Sequence, residues 1–360
     1  MKIKPMRLLA TLALAISAST LLTACDPPMP PEMVAQLAEQ SYTCVEGDVL
    51  VAADVSNSAV VDTLAESLAA ACVEPLEAMT ITNSQDLATA DIVIGVGATD
   101  QCTPFASVPY GFDAGVVAYN VSGTDSLNLG YKTLASVLNG EITTWNDPAI
   151  AKDNPDLTLP ELPILVRNEA EPNSLAALVT ALSFQSAKLD ASAFSAINLF
   201  DGSVPEPLAD GEVAIIPNSV AVINGLLTLG LNSGKKDAET GEKLFATAGE
   251  VSLYAAGSQL VGKTSGSTLT MSVDAKVEPK PMFEGEAAGI PYQAIFPLTM
   301  NLCGEDNLLK RAAAAFMLRL DSQGALGYLN ISQLPETVRY SAVGLVRKGL
   351  PIPKVTKKSE

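Results

Sequence analysis

One stretch of the chain holds its most specific pattern: Leu138-Asn139-Gly140-Glu141-Ile142-Thr143-Thr144-Trp145-Asn146-Asp147-Pro148. Asparagine followed by glycine is a frequent end of a helix, so the preceding segment Thr133–Leu138 is predicted to be a helix that stops there. Trp145 is the only tryptophan of the chain, and a large aromatic residue beside a turn is expected to lie in the core. The stretch therefore predicts a helix, a turn and a buried anchor in close succession.

On both sides of this stretch, β-like apolar runs alternate with segments of helical spacing. The segment Ala59–Ala71, for example, has apolar residues at helical intervals along one face and is predicted to be a helix. The predicted strands are Val49–Ala53, Met79–Ile81, Asp91–Val96, Val116–Asn120, Ile164–Val166 and Val213–Ile216, and the other predicted helices are Ser84–Ala88, Leu175–Leu182 and Asn307–Leu320. Gly257–Lys280 is predicted to form loops or an exposed hairpin. The alternation predicts an α/β fold with a parallel sheet and helices on both faces.

The composition limits the chemistry that the chain can perform. Of its 360 residues 48% are hydrophobic, enough for sizeable cores, and the formal net charge is −18. Such an acidic surface disfavours nucleic acid and anionic lipid as partners. The chain has no histidine, which removes the commonest general base and the usual zinc and haem ligands. These features predict a protein that is not an enzyme and has no cofactor, no metal and no nucleic-acid partner.

The N-terminus has the pattern of a lipoprotein signal peptide over residues 1–24. Three cations precede the uncharged apolar stretch Leu8–Leu22, which is short for a membrane span and suits a secretory signal. The stretch is followed by Thr23-Ala24-Cys25, and its end resembles the lipobox of bacterial lipoproteins. We therefore expect the thiolate of Cys25 to be the nucleophile that takes a lipid such as palmitate. The alternative is an ordinary cleaved signal with a chance cysteine at its end.

Removal of the signal would leave a tethered protein outside the cytoplasm. Residues 25–44 form the predicted tether, which begins with the proline-rich run Asp26–Pro31 that cannot continue a helix. The signal contains three cations and no anion, so the net charge of −18 becomes −21 in the mature chain. The expected location is the extracytoplasmic face of the cell membrane, which the protein would contact through its lipid anchor.

Four further cysteines, Cys44, Cys72, Cys102 and Cys303, form an even set in an oxidising compartment and predict two disulfides. The sequence allows three pairings. Cys44 and Cys72 each lie shortly before a β-like run of a βαβ unit, where the starts of adjacent parallel strands lie side by side, so this pairing is favoured. Cys102 with Cys303 then follows by elimination. The wide spacings and the absence of a CxxC pair give no support to a metal site made of these cysteines.

The stretch around Trp145 resembles the signature F-x-G-x-I-x-x-W-x-D-P of the substrate-binding proteins of phosphate ABC importers. Its first position departs from that signature, with Leu138 in place of phenylalanine. The likeness continues in the same order through Asn154-Pro155, Leu159-Pro160 and Ile164–Arg167, and more weakly through Phe296–Leu298, Gly324–Tyr328 and Leu334-Pro335. The chain is thus similar to that family over most of its mature length.

The resemblance implies the type II periplasmic-binding-protein fold, in which a hinge joins two α/β lobes and the ligand lies in the cleft between them. The hinge crossings are expected near Asp113 and near Tyr292–Phe296. Residues 45–114 and 292–350 would form the first lobe, residues 115–291 the second, and residues 351–360 a C-terminal tail. Helix N-termini and loop N–H groups that face such a cleft are natural donors to an anion.

Two residues match charged groups of the family's phosphate site. Arg167 matches a buried arginine whose planar fork suits a bidentate bond to an oxyanion. Gly97-Ala98-Thr99-Asp100 resembles the family's Gly-Ala-Ser-Asp, so Asp100 is the expected aspartate and could accept a hydrogen bond from a protonated phosphate. Alternatively, Arg167 and Asp100 could form a structural ion pair across the cleft.

One loop of the predicted site departs from the family. Glu171-Pro172-Asn173 replaces Ser-Gly-Thr, so an N–H donor is lost at Pro172 and an anion is introduced at Glu171. Asn173 could still donate to a ligand, and together with Ser174 it is expected to cap the helix that follows.

Two further loops have partial replacements for the family's donors. The first binding loop has Val55 at the threonine position, so Ser56 or Ser58 is the candidate hydroxyl. The glycine- and serine-rich second loop is replaced by Thr82–Gln85, where Ser84 is the best remaining hydroxyl.

Two functions fit these features. The first is a lipid-anchored solute-binding protein of a phosphate-importer-like ABC system, which binds phosphate or another small oxyanion between its lobes and meets an ABC permease at the membrane. The second is a surface interaction or sensing module on the same fold, with a degenerate ligand site and no transport role. The preserved Arg167 and Asp100 favour the first function, and the altered loop at Glu171-Pro172 favours the second.

Overall fold

The computed structural model describes residues 43–72, 78–201, 207–274, 276–285 and 287–351, which all belong to one compact unit, Tyr42–Glu360. The predicted signal peptide, the lipidation site Cys25, nearly all of the predicted tether and residues 352–360 lie outside the described residues. Within the described ranges, no helix is long and apolar enough to cross a membrane.

Strands and helices alternate along the first part of the described chain, as the sequence predicts. The strands are β1 (Gly47–Ala53), β2 (Met79–Ser84), β3 (Ile92–Gly95), β4 (Pro104–Tyr119), β5 (Asn128–Leu129), β6 (Leu165–Ala170), β7 (Ser195–Ala196), β8 (Glu212–Pro217), β9 (Leu227–Thr228), β10 (Gly230–Lys236), β11 (Lys243–Ala246), β12 (Leu260–Ser265), β13 (Thr268–Val273) and β14 (Ile295–Cys303). The helices are α1 (Ser58–Ala71), α2 (Tyr131–Leu138), α3 (Pro148–Asp153), α4 (Pro172–Phe184), α5 (Asn218–Ile223), α6 (Glu250–Gly257), α7 (Leu308–Met317), α8 (Leu320–Gln323) and α9 (Glu336–Val346). β12 and β13 form the hairpin predicted within residues 257–280.

Most strands join one large sheet with the order β2-β1-β3-β14-β4-β8-β6-β7. β1 pairs in parallel with β2 and β3, and β6 pairs in parallel with β7 and β8. β14 runs antiparallel to β3 and β4, and β4 runs antiparallel to β8. The alternation of elements thus predicted the parallel outer parts of the sheet but not its antiparallel centre. A separate three-stranded sheet has the order β11-β10-β5.

The long strand β4 separates the large sheet into a first half (β2, β1, β3 and β14) and a second half (β8, β6 and β7). Up to Ala114 it pairs with β14, and from Gly115 onward it pairs with β8. The sequence predicted only its last part, Val116–Asn120, because residues 109–111 have the composition of a turn. That prediction was too short: the Pro-Tyr-Gly trio lies inside the strand, where the register shifts and Tyr110 is the extra residue of a β-bulge.

The two expected hinge crossings lie next to each other in the centre of the sheet. Asp113 of β4 pairs with Phe296 of β14. The Gly115 N–H then donates to the Ala294 carbonyl oxygen at 2.8 Å. The two crossings therefore form one paired segment, while the division into two lobes at residues 114/115 and 291/292 stays a prediction.

The stretch around Trp145 folds as its pattern predicts. α2 ends just before the Asn-Gly pair, and Gly140 has a positive φ of 73° that suits glycine. Trp145 is fully buried, and its indole N–H donates to the Gly211 carbonyl oxygen at 3.1 Å. Gly211 immediately precedes β8. The tryptophan is thus a core anchor that also holds the start of a strand in the second half of the sheet.

The short helix predicted over Ser84–Ala88 is wrong. β2 runs on to Ser84, and the turn that follows uses side chains as acceptors for backbone donors. The Ser84 hydroxyl accepts a hydrogen bond from the Asp86 N–H at 3.1 Å, and the Asp86 carboxylate accepts one from the Ala88 N–H at 3.0 Å. Short polar side chains of this kind compete with helical hydrogen bonds and favour turns.

Both predicted disulfides are confirmed. Cys44 is bonded to Cys72, and Cys102 is bonded to Cys303. β1 and β2 are parallel neighbours whose first residues pair with each other. The first bridge therefore joins the chain ahead of two adjacent strand starts, as the sequence argument required.

A substitution at Gly115 tests how closely β4 packs against α4 where the strand passes between the two halves of the sheet. A methyl group at this glycine would lie 2.3 Å from the Ser174 carbonyl oxygen, which belongs to the backbone of α4. We therefore expect Gly115→Ala to force helix and strand apart and to lower the free energy of unfolding by about 1–3 kcal/mol. Urea unfolding followed by the fluorescence of Trp145 measures this change.

Gly344→Ala is the matched control. Gly344 is an exposed residue of α9, and a methyl group there would meet no atom within 4 Å. Because alanine has a higher helix propensity than glycine, the substitution is expected to leave stability unchanged or to raise it by up to about 1 kcal/mol. Equal effects of the two substitutions would contradict the close contact between β4 and α4.

Candidate functional site

The carboxylate of Glu171 occupies the N-terminus of α4. One of its oxygens accepts hydrogen bonds from the Asn173 N–H at 2.9 Å and from the Asn173 side-chain amide at 3.1 Å. The other oxygen accepts from the Ser174 N–H at 2.6 Å and from the Ser174 hydroxyl at 2.8 Å. Glu171 is only 3% exposed, so four donors hold a buried carboxylate at the positive end of a 13-residue helix.

Glu171, rather than Asn173 with Ser174, is the N-cap of this helix, which corrects the capping predicted from the sequence. Pro172 takes the first helical position, where its missing N–H costs little because that donor has no partner within a helix. Asn173 and Ser174 supply the donors to the cap. An acid followed by proline also begins α3, where Asp147 is the cap. This acid-proline order was the sequence signal for the role of Glu171.

A second buried carboxylate, that of Asp54, lies between β1 and α1. One of its oxygens accepts from the Ser56 hydroxyl at 2.7 Å, from the Asn57 N–H at 3.0 Å and from the Asn57 side-chain amide at 2.7 Å. The other oxygen accepts from the Val96 N–H at 2.6 Å. The predicted ligand residue Ser56 therefore donates its hydroxyl proton to a carboxylate of the chain itself.

A third buried carboxylate belongs to Asp113, at the point where β4 passes from one half of the sheet to the other. It accepts from the Ser219 hydroxyl at 2.6 Å, from the Ser219 N–H at 3.3 Å and from the Ala114 N–H at 2.7 Å. Ser219 belongs to α5, which follows β8 directly. The carboxylate therefore joins the central strand to an element of the second half of the sheet.

Loops attached to the two halves of the sheet meet around these groups. Gly97, just after β3, lies beside Asn173, since a methyl group at Gly97 would be 3.8 Å from the Asn173 amide nitrogen. The Val55 N–H, in the loop between β1 and α1, donates to the Leu199 carbonyl oxygen at 3.1 Å. Predicted ligand residue Asn173 and the loop of predicted ligand residue Asp100 are thus neighbours.

We call Asp54, Asp113 and Glu171 the carboxylate triad. Burial raises the pKa of Asp113 to about 7, with a smaller upward contribution from the charge of Asp54 and opposition from its hydrogen bonds. Burial also raises the pKa of Asp54 and of Glu171, again against hydrogen bonds that lower it. In the described part of the chain, none of the three forms an ion pair with a lysine or arginine.

Arg167 is engaged by the neighbouring strand β8. Its Nε and Nη2 atoms donate to the two carboxylate oxygens of Glu212, each at 2.9 Å. This bidentate hydrogen bond holds the pKa of Glu212 below its ordinary value. The ion pair weighed for Arg167 and Asp100 is therefore made with Glu212 instead. The Arg167 guanidinium, which was expected to bind an oxyanion, binds the carboxylate of Glu212 from the same chain.

The remaining predicted ligand residues form no hydrogen bond to the triad among the described residues. Asp100 is exposed and ends the 3-10 turn Ala98–Asp100. Ser84 ends β2, and its hydroxyl is already an acceptor for the turn that follows. Of the predicted ligand set, Ser56 and Asn173 donate to triad carboxylates, whereas Asp100, Ser84 and Arg167 form no hydrogen bond to them among the described residues. A ligand role for any of the five stays a prediction.

Sequence reasoning identified two members of the triad in other roles and missed the third. Glu171 was noted as an intruding anion and Asp113 as a hinge position, but Asp54 was not considered. The signal at Asp54 is its place directly after β1 and three residues before Asn57, the N-cap of α1. A short acid so placed commonly accepts hydrogen bonds from N–H groups two or three residues further on.

Comparison with known proteins finds relatives that match a limited part of the chain. Phosphate-binding protein PstS 3 of Mycobacterium tuberculosis H37Rv is 47% identical over 58 residues, which are 16% of this chain and 16% of that protein. Phosphate-binding protein PstS 2 of the same strain is 33% identical over 93 residues, which are 24% of this chain and 25% of that protein. The chain thus matches at most a quarter of the length of these relatives.

Solved structures match the fold over much more of the chain. A human phosphate binding apolipoprotein has a TM-score of 0.50 at 13% identity, with 84% of this chain and 94% of that chain covered. The ancestral soluble variant of the human phosphate binding protein has a TM-score of 0.50 at 12% identity, with 84% and 93% covered. At such identity the likeness concerns the fold alone, and it confirms the predicted α/β class of type II periplasmic binding proteins.

The match to a protein family extends over nearly all of the described residues. A domain model described as the PBP superfamily domain matches residues 32–345. Because this match covers far more than half of the sequence, the chain belongs to the PBP superfamily.

Proposed function

We propose that this chain is a lipid-anchored extracytoplasmic protein that uses the solute-binding fold as a surface interaction or sensing module. The hydrogen bonding of Glu171 supports this role most directly, because its carboxylate takes four donors at the N-terminus of α4. Glu171-Pro172-Asn173 stands where the resembled family has its Ser-Gly-Thr loop. By that likeness, the donors that Glu171 accepts from are the ones that would bind an oxyanion if the carboxylate were absent.

A phosphate ion would have to displace this carboxylate or lie against it. Two like charges about 4 Å apart at an effective dielectric constant of about 20 repel by roughly 4 kcal/mol, or about a thousandfold in an equilibrium constant. Asp54 places a second buried acid in the loop that corresponds to the family's first binding loop. The guanidinium of Arg167 is already paired with Glu212. Tight binding of phosphate is therefore not expected.

The second candidate is the phosphate-importer-like role, in which the chain binds phosphate or another small oxyanion and passes it to an ABC permease. The family and the fold support a solute-binding role of this kind. The specific observation in its favour is the 47% identity over 58 residues to a protein named as phosphate-binding. In this role Arg167 would exchange Glu212 for the ligand, and Asp100 would accept a hydrogen bond from the protonated ligand.

Calorimetric titration with phosphate separates the two candidates. We expect no submicromolar binding by the wild-type protein. The triple variant E171S/P172G/N173T restores the Ser-Gly-Thr loop, so it removes one anion and returns one N–H donor. It is expected to bind phosphate at least tenfold more tightly than the wild type. Because serine is also a good N-cap, α4 should remain folded.

D147S/P148G is the matched control for this experiment. It makes the equivalent change at the start of α3, where the capping residue Asp147 is also followed by a proline. This variant is expected to bind phosphate no better than the wild type. Submicromolar binding by the wild type that is lost in Arg167→Ala would contradict the proposal. A folded triple variant with wild-type affinity would show that Glu171 is not the group that excludes phosphate.

The proposed anchor is tested by Cys25→Ser. The wild-type protein, expressed in a bacterial host, is expected to sediment with membranes and to incorporate labelled palmitate, and the variant should lose both properties. The other four cysteines of the chain are paired in disulfides, so Cys25 is the cysteine proposed to carry the lipid. The double variant C44S/C72S serves as the control and should keep the label. Labelling that persists in Cys25→Ser would refute the anchor.

A further inference from the structure

Helix α4 has no charged residue on any of its faces. It runs over the 13 residues Pro172–Phe184, and every other described helix of eight or more residues contains at least one acid, lysine or arginine. Its buried face consists of Ser174, Ala177, Leu178, Ala181 and Leu182. A helix that is apolar on every side is normally covered on every side. The outer face of α4 therefore has the composition of a contact surface.

An open groove of about 530 Å³ lies along this outer face. One wall is α4 and the other comes from residues 191–196, and apolar side chains line both, among them Pro172, Leu175, Ala176, Val179, Phe194 and Ala196. No charged residue lines the groove. From Pro172 to Val179 the α4 wall extends about 10 Å, the length of about three extended residues. The groove is thus long enough for a short extended segment with apolar side chains at alternate positions.

The second wall includes the last strand of the large sheet. β7 ends the order of the described strands, and its partner is β6. The Ile197 N–H donates to the Ala170 carbonyl oxygen at 3.0 Å, so Ile197 directs its main-chain groups toward β6. In a parallel pair, neighbouring residues of a strand direct these groups to opposite sides. The N–H and carbonyl groups of Ala196 therefore point toward the edge that no described strand covers.

We propose that this groove binds an extended segment of a partner protein, which adds as a strand to β7 and carries lysine or arginine beside its apolar side chains. The proposal rests on the proposed function and deepens it, because an interaction module needs a surface that recognises its partner. The segment would exchange two main-chain hydrogen bonds with Ala196, and its alternate side chains would enter the groove.

The charge of the partner segment follows from the charges around the groove. Over residues 168–198 the exposed charged side chains are those of Glu169, Lys188 and Asp190, so acids predominate. Glu169 lies on β6, and Asp190 is the N-cap of the turn Ala191–Ala193 that leads into β7. The whole chain has a formal net charge of −18. Cations beside the apolar side chains of the segment therefore complement both the surroundings of the groove and the overall field.

The same charges disfavour a second copy of this chain as the occupant. Two copies that each have a net charge of −18 repel each other at long range. Pairing of β7 with its own counterpart would also bring Glu169 and Asp190 of both copies into one interface. A cationic segment avoids both costs.

The groove adjoins the altered loop at the start of α4. Pro172 follows the capping residue Glu171 and stands where the resembled family has glycine, and it also lines the groove. The residue that removes an N–H donor from the loop therefore adds apolar surface to the groove. One departure from the family thus weakens an oxyanion site and extends a contact surface.

The experiment uses a display library of random nonapeptides, selected on the full-length protein in phosphatidylcholine nanodiscs after removal of peptides that bind empty nanodiscs. Sequences with alternate apolar residues and adjoining lysine or arginine should be enriched. Calorimetric titration then measures the Kd of the most enriched peptide, which should rise at least tenfold in Ala176→Lys. Because Ala176 is exposed and lysine is a good helix former, α4 should remain folded in this variant.

Ala69→Lys is the matched control, because Ala69 is an exposed residue of α1 and the substitution adds the same charge to another helix. Its Kd should stay within twofold of the wild-type value. Ala196→Pro removes the N–H group that would donate to the segment, so the Kd should rise at least threefold. Edge strands tolerate proline where the N–H points away from the sheet, so this variant should unfold in urea at the wild-type midpoint.

Three results would overturn the proposal: no enrichment relative to Ala176→Lys, equal Kd values for this variant and the wild type, or enriched peptides with acidic residues in place of the cations. Self-association of the wild type that Ala176→Lys abolishes would identify a second copy as the occupant and overturn it as well. Unfolding of Ala196→Pro would place that N–H within the sheet and contradict the open edge.

The titration with phosphate is read separately from these results. Submicromolar phosphate binding by the wild type would overturn the proposed function, whatever the Kd of the peptide. Failure to select any peptide would remove the docking groove and leave the exclusion of phosphate by Glu171 unaffected.

Discussion

The main-chain pairing of β4 is the constraint on which the rest of the structure depends. This strand of 16 residues is buried along all but its first two positions, and it pairs with β14 in one half of the sheet and with β8 in the other. It places Asp113 at the junction of the halves, and it brings Gly115 against the backbone of α4. One continuous strand thus carries one acid of the triad, Asp113, and packs against the helix that Glu171 caps.

Local patterns in the sequence predicted the elements that depend on nearby residues. The helix stop at Asn139-Gly140, the burial of Trp145 and the order of β1, α1 and β2 follow from turn chemistry and apolar spacing. The antiparallel centre of the sheet does not, because β14 and β4 are distant in sequence and their pairing is set by the whole fold. The first part of β4 was not predicted, because the Pro-Tyr-Gly trio at its β-bulge has the composition of a turn.

The candidate site was predictable as a set of positions but not as a set of contacts. A charge considered alone at Glu171 predicts repulsion of an anion, whereas the structure shows that the same carboxylate accepts the hydrogen bonds of its own helix. Arg167 likewise matched a ligand residue by its place in the sequence, and the structure pairs it with Glu212 from the neighbouring strand. Which acceptor a donor finds depends on groups brought together by folding, and no spacing along the chain encodes that choice.

A buried helix N-terminus requires an acceptor whether or not a ligand is available. Each buried N–H or hydroxyl left without a partner costs about 1–3 kcal/mol, so a binding protein that gives up its oxyanion would lose stability at those donors. Glu171 supplies the acceptor from within the chain. Pro172 has no N–H group, so one donor fewer needs an acceptor at this helix N-terminus. Asp54 does the same for the loop before α1. Internal carboxylates therefore allow the fold to keep its donors satisfied without a bound anion. The accompanying cost is burial of acids without cations, which raises their pKa values.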